Sequence, residues 1–156
     1  MKVKHFLLLA GLAIGFSACK KTKSFDVEAQ FKADTTAIRN YINTNNIPAL
    51  KHNSGIFYQI IKPGSGTVQY SLSTRVSADY QGKILGGSVF DDSKGTPAEF
   101  ALGGVITGWQ IGIPLIQKGG EIRLFIPSYY GYGTRGAGSI PANAILEFRV
   151  ILADVK

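Results

Sequence analysis

Asp91 and Asp92 are the residues of this chain that look most like an acid–base pair, and their adjacency argues against that use. Neighbouring residues of an extended strand point to opposite faces, so two adjacent carboxylates cannot flank one reacting bond. Nucleophilic and metal chemistry also lack parts. The sequence holds two histidines and a single cysteine. His5 lies in an apolar leader, His52 precedes the region where the other motifs gather, and Cys19 closes the leader. No Ser-His-Asp or zinc-ligand set can be assembled from them, so neither a metal nor a cofactor is expected. Gly131-Tyr132-Gly133-Thr134-Arg135-Gly136 matches G-x-G-x-x-G, a dinucleotide fingerprint. That fingerprint needs a strand before it, a helix opening on it and an acidic residue about twenty positions on. Here Ser139-Ile140-Pro141 follows, which cannot open a long helix.

What remains between Tyr80 and Phe148 is a series of aromatic and aliphatic residues spaced like the lining of one pocket. The landmarks are Val89-Phe90-Asp91-Asp92-Ser93, Phe100-Ala101-Leu102-Gly103-Gly104-Val105-Ile106-Thr107-Gly108-Trp109, Ile126-Pro127-Ser128-Tyr129-Tyr130-Gly131-Tyr132-Gly133, and Ile140-Pro141-Ala142-Asn143-Ala144-Ile145-Leu146-Glu147-Phe148. In that order and at those separations they resemble the FK506-binding family of peptidyl-prolyl cis-trans isomerases, from near Gly55 to the C-terminus.

The resemblance implies a role for each residue. Trp109 would be the pocket floor, beneath a prolyl ring. Tyr80, Phe90, Val105, Ile106 and Phe148 match wall positions, and the backbone N–H of Ile106 matches a donor to a substrate carbonyl. The Tyr132 hydroxyl matches a second donor. Asp91 matches the carboxylate at the pocket edge, or serves to fix a neighbouring tyrosine or arginine. Ile140 matches the apolar flap residue before a proline turn, here Pro141. The chain departs from the family at Ala98, where an aromatic wall residue is common, so one side of the pocket is expected to be open. The loop from Gly133 to Ile140 is also slightly short. Both departures bear on the macrolide-inhibitor binding that the resemblance implies.

Isomerisation of X-Pro bonds is a reaction that such a pocket can catalyse. The C–N bond must rotate through a twisted state without amide resonance, over a barrier of about 18–20 kcal/mol. No bond is made or broken, so no nucleophile is required. A dry apolar site disfavours the more polar planar amide, and fixed donors hold the twisted form. The expected partners are proline-containing polypeptide clients. The rival reading is a binding module that holds such segments as a chaperone or scaffold with little turnover.

The elements that position these residues read as α+β. Hydrophobic content of 45% and charged content of 17% are those of a globular domain, and 19 glycines favour turn-rich β structure. Strand patterns occur at 55–61, 74–85, 121–126 and 146–155, with a hairpin bracketed by Gly82 and Gly86-Gly87. Residues 106–117 are the one expected core helix. The predicted architecture is a curved antiparallel sheet wrapped around one short α-helix. An additional N-terminal helix over 26–43 carries Phe31, Ile38 and Ile42 on one face, for docking on the domain or for pairing with a second copy.

The N-terminus reads as a leader. Lys2 and Lys4 precede an apolar run from Phe6 to Phe16, too short for the roughly twenty residues that a span requires. Phe16-Ser17-Ala18-Cys19 resembles the lipobox of bacterial lipoproteins, with Phe16 where Leu is usual; an ordinary secretory signal is the alternative. The lipobox implies acylation of Cys19 and a membrane contact through N-terminal lipid. Lys20 after the cysteine then favours the outer membrane of a bacterial envelope, facing the periplasm. Of the net charge of +7, two positives belong to Lys2 and Lys4, which leaves +5 without the leader. Lys20, Lys21 and Lys23 cluster beside the cysteine, where anionic headgroups would lie. The other basic residues form no stripe, which argues against nucleic acid as a partner. The expected division is leader 1–18, tether and helix 19–50, and isomerase-type domain 51–156, with residues before about 48 dispensable for turnover.

Overall fold

The computed structural model describes residues 25–156; the leader, Cys19 and the lysine cluster lie outside them. The first element is helix α1, Val27–Thr44. Asp26 caps it by accepting the Ala29 N–H at 2.9 Å, and Glu28 sits in the first turn, where the helix dipole favours a carboxylate. Asn46 in the left-handed region and Pro48 end it.

The sheet contains β1 (Leu50–Lys51), β2 (Phe57–Lys62), β3 (Arg75–Ile84), β4 (Val89–Asp92), β5 (Ala98–Ala101), β6 (Glu121–Ile126) and β7 (Leu146–Val155). Its order is β1-β2-β6-β7-β3-β4, every pairing is antiparallel, and β5 pairs with the first half of β3. The longest strands, β3 and β7, lie side by side at the middle. Alternation puts Ile122, Leu124 and Ile126 of β6, and Leu146, Phe148, Val150 and Leu152 of β7, on one face. There they bury against helix α2, Thr107–Gly112, and Ile113. A Cβ on Gly108 would come within 2.5 Å of Ile126, and one on Gly112 within 2.5 Å of Leu124. Glycine four residues apart gives α2 a smooth face that lies directly on β6.

The core helix is shorter than the 106–117 expected. It passes at Ile113 into a 3₁₀ turn, Ile113–Leu115. Pro114 has no N–H to give the Gln110 carbonyl, so the α-helical ladder cannot continue. Strands β1 and β5 are additions to the sequence reading; both are too short to show a period.

Helix α1 docks on the opposite face of the sheet. Phe125 points away from its neighbours Leu124 and Ile126, and with Phe57 it packs against Ile38 and Ile42 in a second small core. The helix is also tied down by charge. Asp34 is 2% exposed and accepts the Ser128 N–H at 2.8 Å, the Ser128 hydroxyl at 2.6 Å and the Gln30 side-chain amide at 2.7 Å. A buried carboxylate is stable only when its lone pairs are met in this way. The bond to Ser128 fixes the start of the turn Ser128–Tyr130, which leads directly to Tyr132. The docking alternative for α1 is therefore the one observed within this chain.

Candidate functional site

A cavity of about 270 Å³ opens on the concave side of the sheet. Trp109 forms its floor, 3% exposed at the middle of α2. Three rings meet the indole edge-to-face: Tyr80 at 5.3 Å, Phe148 at 5.4 Å and Phe100 at 5.6 Å between centroids. Such contacts contribute about 0.5–1.5 kcal/mol each beyond area burial, so the floor is held in one orientation. Its indole N–H is buried without a partner among the described residues.

Strand β4 supplies the next wall. Phe90 meets Phe148 edge-to-face at 5.6 Å. A Cβ at Gly82, between them on β3, would approach Phe148 to 2.6 Å and Phe90 to 2.8 Å. The glycine in the middle of β3 is thus the space that lets the two rings meet. Val105 and Ile106, just before α2, line the side nearest the floor, and Tyr132 lies at the rim, partly exposed.

Polar groups are fixed around this apolar shell. The Tyr80 hydroxyl donates to Asp91 Oδ2 at 2.7 Å, and the Asp92 N–H donates to Asp91 Oδ1 at 2.9 Å. Asp91 therefore does fix a neighbouring tyrosine, one of the two roles read for it. Asp92 turns the other way, accepting from Gln81 at 2.9 Å and from the Lys94 N–H at 2.7 Å. Ser93 clasps Tyr80 from behind: its N–H donates to the Tyr80 carbonyl at 3.0 Å, and its Oγ accepts the Tyr80 N–H at 2.8 Å. Asp79 accepts from the Ser93 hydroxyl and from the Gly95 N–H at 3.0 Å.

Gln110 donates to the Val105 carbonyl at 2.9 Å. In a planar trans peptide the C=O of Val105 and the N–H of Ile106 point opposite ways, so holding one aims the other. Among the described residues no acceptor meets the Ile106 N–H, which leaves it free for a ligand carbonyl.

Both tyrosine hydroxyls are kept neutral. Burial, then the Asp91 hydrogen bond and charge, pushes the Tyr80 pKa up to about 12. Burial, then the Asp91 charge, raises that of Tyr132. At neutral pH both are proton donors. The folded state holds the Tyr80 proton above the ordinary tyrosine range near 10. Its contribution to stability is therefore complete below that value and lost as pH rises toward about 12. The tyrosinate absorbance that Tyr80→Phe removes from an alkaline titration should appear above the ordinary range; a lost component near 10 in the folded protein would contradict this.

Eight of the residues named from the sequence converge on the cavity: Tyr80, Phe90, Asp91, Val105, Ile106, Trp109, Tyr132 and Phe148. Ile140 does not. It is buried in the core behind the loop, where Ala137 and Ile140 exchange backbone hydrogen bonds at 3.0 and 2.8 Å. Ala98 itself is not among the residues that line the cavity. Phe100, two residues on and on the same face of β5, closes that wall against Tyr80 at 5.7 Å. Sequence reading missed Phe100 as a wall, and Ser93, Asp79 and Gln110 as supports. For Phe100 the available signal was its place in the run Phe100–Trp109 already singled out.

The FKBP-type peptidyl-prolyl cis-trans isomerase family description matches residues 66–153. The FKBP-type peptidyl-prolyl cis-trans isomerase FkpA of Escherichia coli (strain K12) is 42% identical over 105 residues, covering 66% of this chain and 38% of that protein. The FkpA of Aeromonas hydrophila is 33% identical over 181 residues, covering all of this chain and 66% of that protein. This chain spans less than half the length of several of the curated relatives it matches. Among solved structures, E. coli FkpA superposes with a TM-score of 0.70 at 36% identity, over 83% of this chain and 64% of that one. A peptidyl-prolyl cis-trans isomerase from Pseudomonas syringae pv. tomato gives 0.68 at 31%, over 85% and 98%. With the curved antiparallel sheet, the central helix and the caged tryptophan in place, this chain belongs to the FKBP-type peptidyl-prolyl cis-trans isomerase family.

Proposed function

We propose that this protein accelerates X-Pro isomerisation in polypeptide clients, by holding a twisted amide in the Trp109 pocket without covalent chemistry. The observation that carries the reading is the aromatic floor with neutral donors at its rim. The prolyl ring lies on Trp109 between Phe90, Phe148 and Val105. The Ile106 N–H, aimed by Gln110, and the Tyr132 hydroxyl bind carbonyls of the client on either side. The bond in question turns over unaided in tens to hundreds of seconds. Asp91 acts mainly through Tyr80, holding its ring against the floor, and adds a negative charge at the pocket edge. A protease-coupled assay on proline tetrapeptides tests the activity; a rate no faster than the uncatalysed one would leave a proline-binding module.

Tyr132→Phe deletes one hydroxyl and keeps the ring. Stability should barely change, and kcat/KM should fall by about 0.5–1.5 kcal/mol, the usual net value of one hydrogen bond. Asp91→Leu should cost at least as much, because it frees the Tyr80 hydroxyl as well as removing the charge. All-or-none loss from Tyr132→Phe in a folded protein would contradict the mechanism and indicate proton-transfer or covalent chemistry.

In the same reading residues 1–18 are a leader, 19–50 a tether and helix, and 51–156 the isomerase domain of a protein held in the bacterial envelope by acylated Cys19, facing the periplasm. Cys19 lies outside the described residues, and no described helix is long and apolar enough to cross a membrane. Acyl chains at about 0.8 kcal/mol per buried CH₂ would supply the anchor. Cys19→Ala should move the protein from the detergent phase to the aqueous phase, and unchanged partitioning would sink the lipid anchor. The closed Phe100 wall supports macrolide binding in the prolyl pocket, which competition in the same peptide assay would test.

A further inference from the structure

A second concavity, of about 190 Å³, lies across the backbone from the catalytic one. It is framed by the start of α1 (Phe25, Val27 and Phe31) and by Tyr129, Gly133 and Asn143. Tyr132 lines the first cavity and Gly133 the second, so the two share a wall one peptide thick. Its apolar residues are open to solvent: Phe25 and Val27 are each 48% exposed and Tyr129 60%. The edge-to-face contacts of Tyr129 with Phe31 and Tyr130 hold its ring in place. Gln30, Ser128, Thr134 and Asn143 add polar groups to this surface. The Asn143 Oδ1 is buried without a hydrogen-bond partner among the described residues. An unmet acceptor of this kind costs free energy and calls for an explanation.

We infer that this groove is a second subsite for the client chain, taking an apolar side chain a few residues from the proline, with Asn143 receiving a backbone N–H of the same segment. The inference rests on the isomerase reading and extends it from a single bond to a stretch of polypeptide. An extended chain advances about 3.3 Å per residue. A segment leaving the Trp109 pocket past Tyr132 therefore reaches the groove within a few residues. The volume suits one aliphatic or aromatic side chain. A lipid surface fits less well, because it would meet protruding residues and leave the buried acceptor unpaired.

The test uses the full chain in detergent and labelled single-proline peptides of about ten residues, with one Leu stepped along either side of the proline and Ser as its control. At one position Leu should raise affinity about tenfold over Ser, the effect of burying one such side chain. Phe25→Ser combined with Tyr129→Ser should abolish that gain while leaving turnover of short tetrapeptides within about twofold. Asn143→Gly, which keeps the positive φ of 57° available, should weaken binding of the same peptide on its own. It therefore tests the groove even if the double variant folds poorly. No preferred Leu position, or a preference that survives both substitutions, overturns the subsite. So does loss of flotation with phosphatidylethanolamine–phosphatidylglycerol vesicles when the double variant is compared with its parent in a Cys19→Ala background, alongside unchanged peptide affinities, which would make the groove a lipid contact. A wild type that binds the Leu peptide but turns over no tetrapeptide would refute the isomerase reading and leave the subsite standing.

Discussion

A chain beginning at Ala49 should be less stable than the full protein by on the order of 4 kcal/mol, although every residue of the Trp109 pocket is still present. The truncation exposes Phe57 and Phe125, removes the burial of Ile38 (0% exposed) and Ile42 (6%), and leaves the Ser128 N–H without its acceptor. Each buried isoleucine is worth about 1.5–3 kcal/mol and each charge-assisted hydrogen bond about 1.5–3 kcal/mol; ordering the helix offsets part of the sum. Against a total of about 5–15 kcal/mol for a domain the loss is large. Turnover should persist at low temperature, where the remainder is folded, and fail on warming. Urea midpoints of the two chains measure the effect. An unchanged midpoint would mean that the helix packs without contributing. Ile38→Ala in the full chain, expected to cost about 2–5 kcal/mol, probes the same small core at a single site.

Trp109→Ala should have an effect of similar size at the other face of the sheet. It deletes the floor that three aromatic rings abut, and truncation of a buried aromatic costs about 3–5 kcal/mol. Because that change removes fold and site together, lost activity in this variant says little about chemistry; Tyr132→Phe is the substitution that separates them. A denaturation midpoint near that of the wild type would contradict the caged position of Trp109. Near-normal kcat/KM in a folded Trp109→Ala protein would move the prolyl site elsewhere.

Sequence pattern was most readable where apolar residues alternate along a strand. Strands β6 and β7 alternate so cleanly that their bounds, 121–126 and 146–155, match the structure. The pocket residues were legible because aromatic side chains beside glycines in that order resemble a known lining. What stayed hidden depends on partners distant in the chain. Asp34 lies on a helix where a carboxylate is ordinarily solvated, and nothing nearby in sequence announces Ser128, 94 positions away. Gln110 reads as a surface helix residue until its bond to the Val105 carbonyl is seen. Ile140 belongs to the pocket by resemblance alone, and the tight Ala137–Ile140 loop turns it into the core. Phe100 became a wall residue only once its ring was seen against Tyr80.

The position of β7 governs how the chain can be made. The last ten-residue strand is the middle of the sheet, bonded to β6 on one side and β3 on the other. Synthesis from the N-terminus delivers it after the other strands of this sheet. Until it arrives, β3 and β6 present unpaired edges of the kind that invite association with other chains. A product cut short by those ten residues would not be a slightly weakened protein but two unsealed half-sheets, fit for degradation. A stop codon just before Leu146 should therefore be as damaging as a much earlier one.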